Sequence, residues 1–228
     1  MKRFIMLILA AILLLSGCSG NTADSAAAME MASSQKESIP EAVNPPEKEL
    51  FVEDEAFYLQ VLLTYGGELI NGVLRPEAVS LYYISEGWQH PEELHPGSFY
   101  TWRLCQMWSE DITYEERVEK YKSPLGPDNG WFFEREEYEA LVQSYFNISV
   151  EHLRSDPTYY STELNGYTLS TGGGIGERPV IELEAVEKKD DLRLLHIVLK
   201  ASSGNEHMVL TICIGADRKY KFVSYLPA

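Results

Sequence analysis

Hydrophobic and polar positions follow one another in four different rhythms along the chain. An unbroken apolar run covers Phe4 to Leu15, twelve residues, behind the positive pair Lys2 and Arg3. Residues 19–48 are Ser-, Ala- and Glu-rich and hold no Phe, Tyr, Trp or Leu. From about residue 47 to 154 the apolar positions recur mostly at helical spacing. From about residue 164 to the end the period falls to two, the alternation of a half-buried strand.

A helix is predicted from near Glu47 to Tyr65. Phe51, Tyr58, Leu62 and Tyr65 share one face, Leu50, Phe57 and Val61 lie beside it, and Gly66-Gly67 supplies the stop. A second helix is predicted to follow, with Pro76 at its first position and Glu77 in its first turn. Val79, Tyr82 and Tyr83 face inward and Gly87 closes it. The stretch Phe99 to Trp108 reads equally as a buried strand or a helix. Thr113 and Glu116 form a capping box ahead of Tyr114, Val118 and Tyr121. Ser123 to Gly130 is a turn-rich loop. The clearest helix is Glu134 to Asn147, with Tyr138, Leu141, Val142, Tyr145 and Phe146 inward and Glu136, Glu137 and Glu139 on the wet side. Ser149 caps a short helix through Arg154.

Strands are predicted over Leu164–Ser170, Pro179–Glu187, Leu192–Lys200, His207–Ile214 and Lys219–Leu226, with Ile181, Leu183 and Ala185 on one face of the second. The links between the last four are short, so they form an antiparallel meander, because parallel neighbours need long crossovers. The fold class is therefore α+β, N-terminal helices followed by an antiparallel β-meander. It is a single domain over residues 49–228, with a subdivision near 125 as the alternative.

The apolar run of the leader spans about 18 Å as a helix, short of the roughly 30 Å of a bilayer core. It reads as a signal peptide, residues 1–17, rather than a lasting transmembrane helix. It ends Leu15-Ser16-Gly17-Cys18, which resembles the lipobox of bacterial lipoprotein precursors. That resemblance implies a diacylglyceryl group on Cys18, cleavage after Gly17 and further acylation (palmitate among the chains) of the new N-terminus. More than one acyl chain is about what stable anchoring requires. Residues 18–48 are then the lipidated Cys and a disordered tether of roughly 30 Å root-mean-square reach. The expected location is the outer face of the bacterial cytoplasmic membrane.

Element order over residues 134–228 resembles the nuclear-transport-factor-2-like (NTF2-like) cone, a curved sheet wrapped on N-terminal helices. The chain as a whole resembles small lipoproteins of Gram-positive bacteria, a likeness that names no activity. Composition narrows the partners. The 228 residues carry a formal charge of -16, and loss of Lys2 and Arg3 with the leader takes this to -18. A surface of that sign opposes nucleic-acid binding, which needs basic groups on the phosphates.

Few residues announce chemistry. The run Gly172, Gly173, Gly174 and Gly176 lacks the Lys-Ser/Thr and the following helix of a phosphate loop, and reads as a hairpin loop or the lip of a cleft. His90 and His95 fit no zinc spacing, and no metal or cofactor is expected. His196 and His207 stand on neighbouring strands where they can pair across the turn. Cys105 and Cys213 remain after Cys18, either as one disulfide or as two buried thiols. Neither lies beside a base or at a helix start, so a catalytic thiol is disfavoured. Trp88, Trp102, Trp108 and Trp131 fall in the middle of the domain. They are core residues first and the lining of a ligand groove second. The expected function is a tethered binding or interaction module for a peptide, a glycan or a protein, with an envelope hydrolase as the alternative.

Overall fold

The computed structural model describes residues 52–84, 86–126, 129–169 and 177–228. The leader, Cys18, the tether, Leu50, Phe51 and the glycine run 172–176 lie outside the described residues. Glu49–Ala228 forms one unit by its internal contacts.

The first helix, α1 (Glu55–Gly66), begins where the Asp54 side chain accepts a hydrogen bond from the Phe57 N–H at 3.0 Å. This satisfies one of the helix's orphan amides. Tyr58, Val61, Leu62 and Tyr65 are its buried face, as the periodicity requires. It ends on the Gly67 N–H, which donates to the Leu62 and Leu63 carbonyls.

The chain then departs from the predicted second helix. Gly67–Ile70 (β1) and Val73–Pro76 (β2) form a two-stranded antiparallel hairpin. Its turn is Asn71-Gly72, with φ of 52° and 80°. Both signs suit a primed two-residue turn, in which Asn and Gly are the favoured residues. Among the described residues of the predicted helix, 76–87, only Leu81–Tyr83 is helical, as a single 3-10 turn. Tyr82 is buried, whereas Val79 and Tyr83 are exposed rather than inward-facing.

Phe99–Trp108 resolves as helix within α2 (Pro96–Trp108), which starts on Pro96. The capping box forms as predicted. Thr113 Oγ1 accepts from the Glu116 N–H, and the Glu116 carboxylate accepts from the Thr113 N–H, at the head of α3 (Tyr114–Tyr121). A short strand, β3 (Trp131–Glu134), precedes α4 (Arg135–Tyr145), and Ser149 caps the single turn α5 (Val150–Leu153).

Two further sheets follow. β4 (Tyr160–Ser161) and β5 (Gly166–Leu169) join β3 in a three-stranded sheet of order β3-β5-β4. The meander is β6 (Val180–Lys189), β7 (Leu192–Ala201), β8 (Gly204–Ile214) and β9 (Tyr220–Pro227), antiparallel in sequence order and not closed into a barrel. The molecule is thus α+β, with N-terminal helices and an antiparallel sheet. One expectation fails in β6. A bulge between Leu183 and Ala185 shifts the register, so Ile181 is buried and Ala185 turns outward to face His196.

Aromatic rings join the helices to the meander. Phe146 meets Trp102 at 5.1 Å, Phe99 at 5.2 Å and Phe222 at 5.3 Å between ring centroids. All four are buried. Each contributes about 1.5–3 kcal/mol through burial, and the edge-to-face pairs add a fraction more. The free edge of β9 is covered where Trp88 exchanges two backbone hydrogen bonds with Tyr225 and where Phe146 bridges Phe222. The edge of β6 instead carries Glu182, Glu184, Glu187, Lys188 and Lys189. Charges on an edge strand discourage pairing with another chain.

Candidate functional site

The four tryptophans divide two and two. Trp88 is 2 % exposed and Trp102 is fully buried. Their indole N–H groups donate to the Tyr65 hydroxyl at 3.1 Å and the Thr64 carbonyl at 2.8 Å. Both are core residues with satisfied polar atoms, and neither can line a groove. Trp108 is 44 % exposed, and Trp131 is half-buried. Their rings meet edge to face, with centroids 5.6 Å apart at 86°. The expected four-tryptophan groove is therefore replaced by a two-tryptophan ridge.

Local structure holds this ridge rigid. Trp108 is the last residue of α2, where carbonyls lack intrahelical partners. Backbone N–H groups of Ser109 and Glu110 supply several of those partners, and the buried Arg117 of α3 adds further donors there and just beyond. Its Nε donates to the Met107 carbonyl at 3.0 Å and its Nη2 to the Glu110 carbonyl at 2.8 Å. The same guanidinium lies 4.9 Å from the Trp108 ring centre, a cation–π contact. Trp131 opens β3, where it pairs with Leu169 and bridges Lys122. Its carbonyl accepts from the Tyr100 hydroxyl at 2.8 Å.

A cleft opens beside each indole. Trp108 lines one of about 420 Å³ with Gln60, Thr64, Glu68, Glu77 and Gln106. Trp131 lines another of about 440 Å³ with Tyr114, Val118, Lys122 and Gly126. Tyr114 is 59 % exposed. The ridge stands between a polar cleft and an aromatic one. Two carboxylates of the polar cleft share one cation outside its lining: the Arg178 Nη2 touches Glu68 and lies 3.6 Å from Glu77. Burial pushes the Glu77 carboxyl above its usual range, against the opposing pull of the Ala78 N–H.

A third cleft, of about 580 Å³, lies over β9 and is lined by His90, Cys213, Lys219, Lys221 and Val223 among others. Its composition suggests nucleophilic chemistry, but its thiol is quiet. Burial and the Asp191 carboxylate, to which Cys213 Sγ donates at 3.2 Å, both push the thiol pKa up. A reactive thiol needs the opposite shift. Cys105 is buried in α2, and burial pushes its pKa further up. The two thiols are free, which removes the disulfide reading, and of the two expected buried thiols only Cys105 is buried while Cys213 is half-buried.

The histidines are dispersed. His95 caps α2 through Nδ1, which accepts from the Gly97 N–H, and its Nε2 lies 3.1 Å from Asp156. His196 and His207 do not face each other, because the register places Val209 opposite His196 and Val198 opposite His207. Each instead points at a glutamate of β6, His196 at Glu187 and His207 at Glu184. Among the described residues no group of three or more His, Cys, Asp or Glu converges as a metal site.

Sequence reasoning also misplaced one carboxylate. Glu139 is not on the wet side of α4. It is 7 % exposed and accepts two hydrogen bonds from Arg154, both at 2.7 Å, and one from the Tyr167 hydroxyl. Burial opposes ionisation there, but Arg154 and Tyr167 outweigh it and hold the carboxyl below its usual range. Arg103 is a second buried charge, bonded to Glu110, Tyr121 and Glu137 and stacked 4.8 Å from the Phe133 ring centre. Apart from the buried Arg103 Nε, which has no hydrogen-bond partner, these groups are bonded to one another and explain structure rather than chemistry.

Comparison of the chain with models of protein families, with curated proteins and with solved structures finds no match.

Proposed function

We propose that this chain is a binding module tethered to the outer face of the bacterial cytoplasmic membrane. The lipobox resemblance supports the tether, with Cys18 as the acylated first residue of the mature chain and residues 18–48 as the leash. Among the described residues no helix is long and apolar enough to span a membrane. The domain then presents its ligand site at the end of the leash. We also read the meander packed on helices as an NTF2-like arrangement, supported by its strand order and by the bulges in β6 and β9 that bend it.

One observation carries the binding reading. Two braced tryptophans, one of them 44 % exposed, separate two clefts. A contiguous exposed aromatic patch, unlike a single exposed ring, marks an interaction surface. Rigid rings also give contact area at low entropic cost. The ligand is a peptide, a glycan or a protein of the envelope, and the acidic charge opposes nucleic acid.

Two experiments test this. Envelopes stripped of lipid by detergent are expected to bind the detergent-solubilised full chain and to lose most of that binding when Trp108→Ala and Trp131→Ala are combined. Equal retention of the double variant contradicts the site. Labelled palmitate is expected in the wild-type chain and not in Cys18→Ala, and label in both contradicts the anchor.

A second reading, an envelope hydrolase, rests on Glu77. A carboxyl with a raised pKa beside an ion-paired one is the pattern of an acid and its partner. Both carboxylates, however, sit on the same edge of Arg178 rather than across a cleft. This reading requires Glu77→Gln to abolish a hydrolytic activity on envelope polymers while leaving retention intact.

A further inference from the structure

We propose that the outer edge of β6 docks an extended protein segment whose apolar and basic side chains alternate, taken up as a fifth strand of the meander. The place is separate from the ridge, because its lining shares no residue with either ridge cleft.

A further cleft, of about 470 Å³, marks this edge. Residues 181–186 of β6 all line it. Consecutive side chains of a strand point to opposite faces, so a cleft that touches the whole run follows the strand's edge rather than one face. β6 is the last strand of its sheet and pairs with β7 alone. Among the described residues no other hydrogen bond reaches the backbone of Val180–Lys189. The edge of β9, by contrast, is covered by Trp88 and Phe146. The outer N–H and C=O groups of an open edge are the template with which an added strand pairs.

The walls decide the side chains of the guest. Leu59 of α1 and Leu74 of β2 make an apolar side with Ile181, Leu183 and Val186. Leu59, Leu183 and Val186 are only half-buried, so apolar side chains of the guest complete their burial. The rim carries Glu55, Glu182 and Glu184, and no Lys, Arg or His lines the cleft.

The surrounding cations leave that rim acidic. Lys200 lies 2.5 Å from Glu182 and His207 3.5 Å from Glu184, and such exposed pairs hold weakly against solvent. Glu55 has no cation partner among the described residues. At one end of the cleft Arg178 contacts Glu68 and Glu77, and Arg75 stands opposite Glu68. At the other end Arg193 and Lys188 share Glu53, and Lys189 lies outside the lining. Carboxylates on the edge oppose a second copy of this acidic chain, which brings the same sign. They favour Lys or Arg on the facing strand.

The test is titration calorimetry on the full chain in polyoxyethylene detergent at physiological salt. The probe is the capped hexapeptide Lys-Val-Lys-Val-Lys-Val. Three controls are its Glu-Val counterpart, the block isomer Lys-Lys-Lys-Val-Val-Val, and the probe N-methylated at every amide, which cannot donate to a strand edge. Saturable binding by the probe alone is expected, with slowed hydrogen exchange at amides 183–187. Glu182→Lys combined with Glu184→Lys is expected to weaken binding about tenfold. The same reversal at the exposed Glu151 and Glu163, outside the cleft, is expected to change it by no more than about twofold. Where the first pair fails to fold, Glu182→Gln with Glu184→Gln carries the test with a smaller loss. No saturable binding, or binding without the slowed exchange, overturns the inference. Equal binding by the block or N-methylated peptide, or equal loss in the two reversed pairs, overturns it in favour of charge attraction alone. Protection of the same amides without peptide, rising with protein concentration, overturns it in favour of a second copy.

Discussion

Glu53 shows how much one residue can fasten. It lies just before α1, and its carboxylate accepts from Arg193 Nε at 2.6 Å and Nη2 at 2.7 Å, with Lys188 3.1 Å away and the Tyr58 hydroxyl donating at 2.9 Å. Arg193 and Lys188 belong to the β6–β7 hairpin, so this ion pair ties the entry of the domain to its sheet. Hydrogen bonding by Arg193, working against desolvation, lowers the Glu53 pKa to about 2. The folded value lies below the ordinary 4.5, so the stabilisation is present above about pH 4.5 and is lost as pH falls toward 2. Glu53→Gln is therefore expected to unfold at lower urea than wild type at pH 7, with the gap closing as pH falls to 2. A gap that is constant with pH contradicts the assignment. The same scale explains what the sequence hid. Charged positions on α4 look alike in a one-dimensional pattern, yet Glu137 is largely exposed while Glu139 is buried on Arg154. Only the partner, fifteen residues later, distinguishes them.

At the scale of elements, the meander and the helices α1, α3 and α4 were legible from their period, with a predicted cap at α3, although α1 begins at Glu55 rather than near Glu47. Others were not, among them the two-residue β4. The β1–β2 hairpin lay under a Pro76 that looked like a helix start, and the Asn71-Gly72 turn was the signal that could have found it. β3 is four residues long, too short to show a period. The ambiguity of Phe99–Trp108 mattered most for the site. As a strand it puts Trp102 and Trp108 on one face. As a helix it turns them about 120° apart, which is why one is core and the other ridge. Gly87 tests how the elements are joined. Its φ is +71°, and a Cβ there would lie 2.2 Å from the Tyr225 carbonyl. Gly87→Ala is expected to break the Trp88–Tyr225 bridge that covers β9 and to cost at least about 1–2 kcal/mol, read from urea unfolding. Hydrogen exchange should quicken first at Tyr225. Unchanged protection of that amide argues that the bridge does not hold the edge.

For the molecule as a whole, the site arises from architecture rather than from any motif. α2 ends where α3 turns back, so Arg117 can brace Trp108. β3 then brings Trp131 alongside, from a position 23 residues later in the chain. No local sequence pattern encodes that meeting. An acidic domain with a braced aromatic ridge fits the proposed leash, which holds it off a membrane. The central claim is that Trp108 and Trp131 are the contact surface and that Trp88 and Trp102 are not. Fluorine NMR of the full chain labelled with 5-fluorotryptophan tests it directly, because each of the four indoles gives its own resonance and substitution assigns it. On addition of solubilised envelope material, the Trp108 and Trp131 resonances are expected to shift or broaden while those of Trp88 and Trp102 hold. Four unmoved resonances, or movement confined to the two buried indoles, would contradict the account.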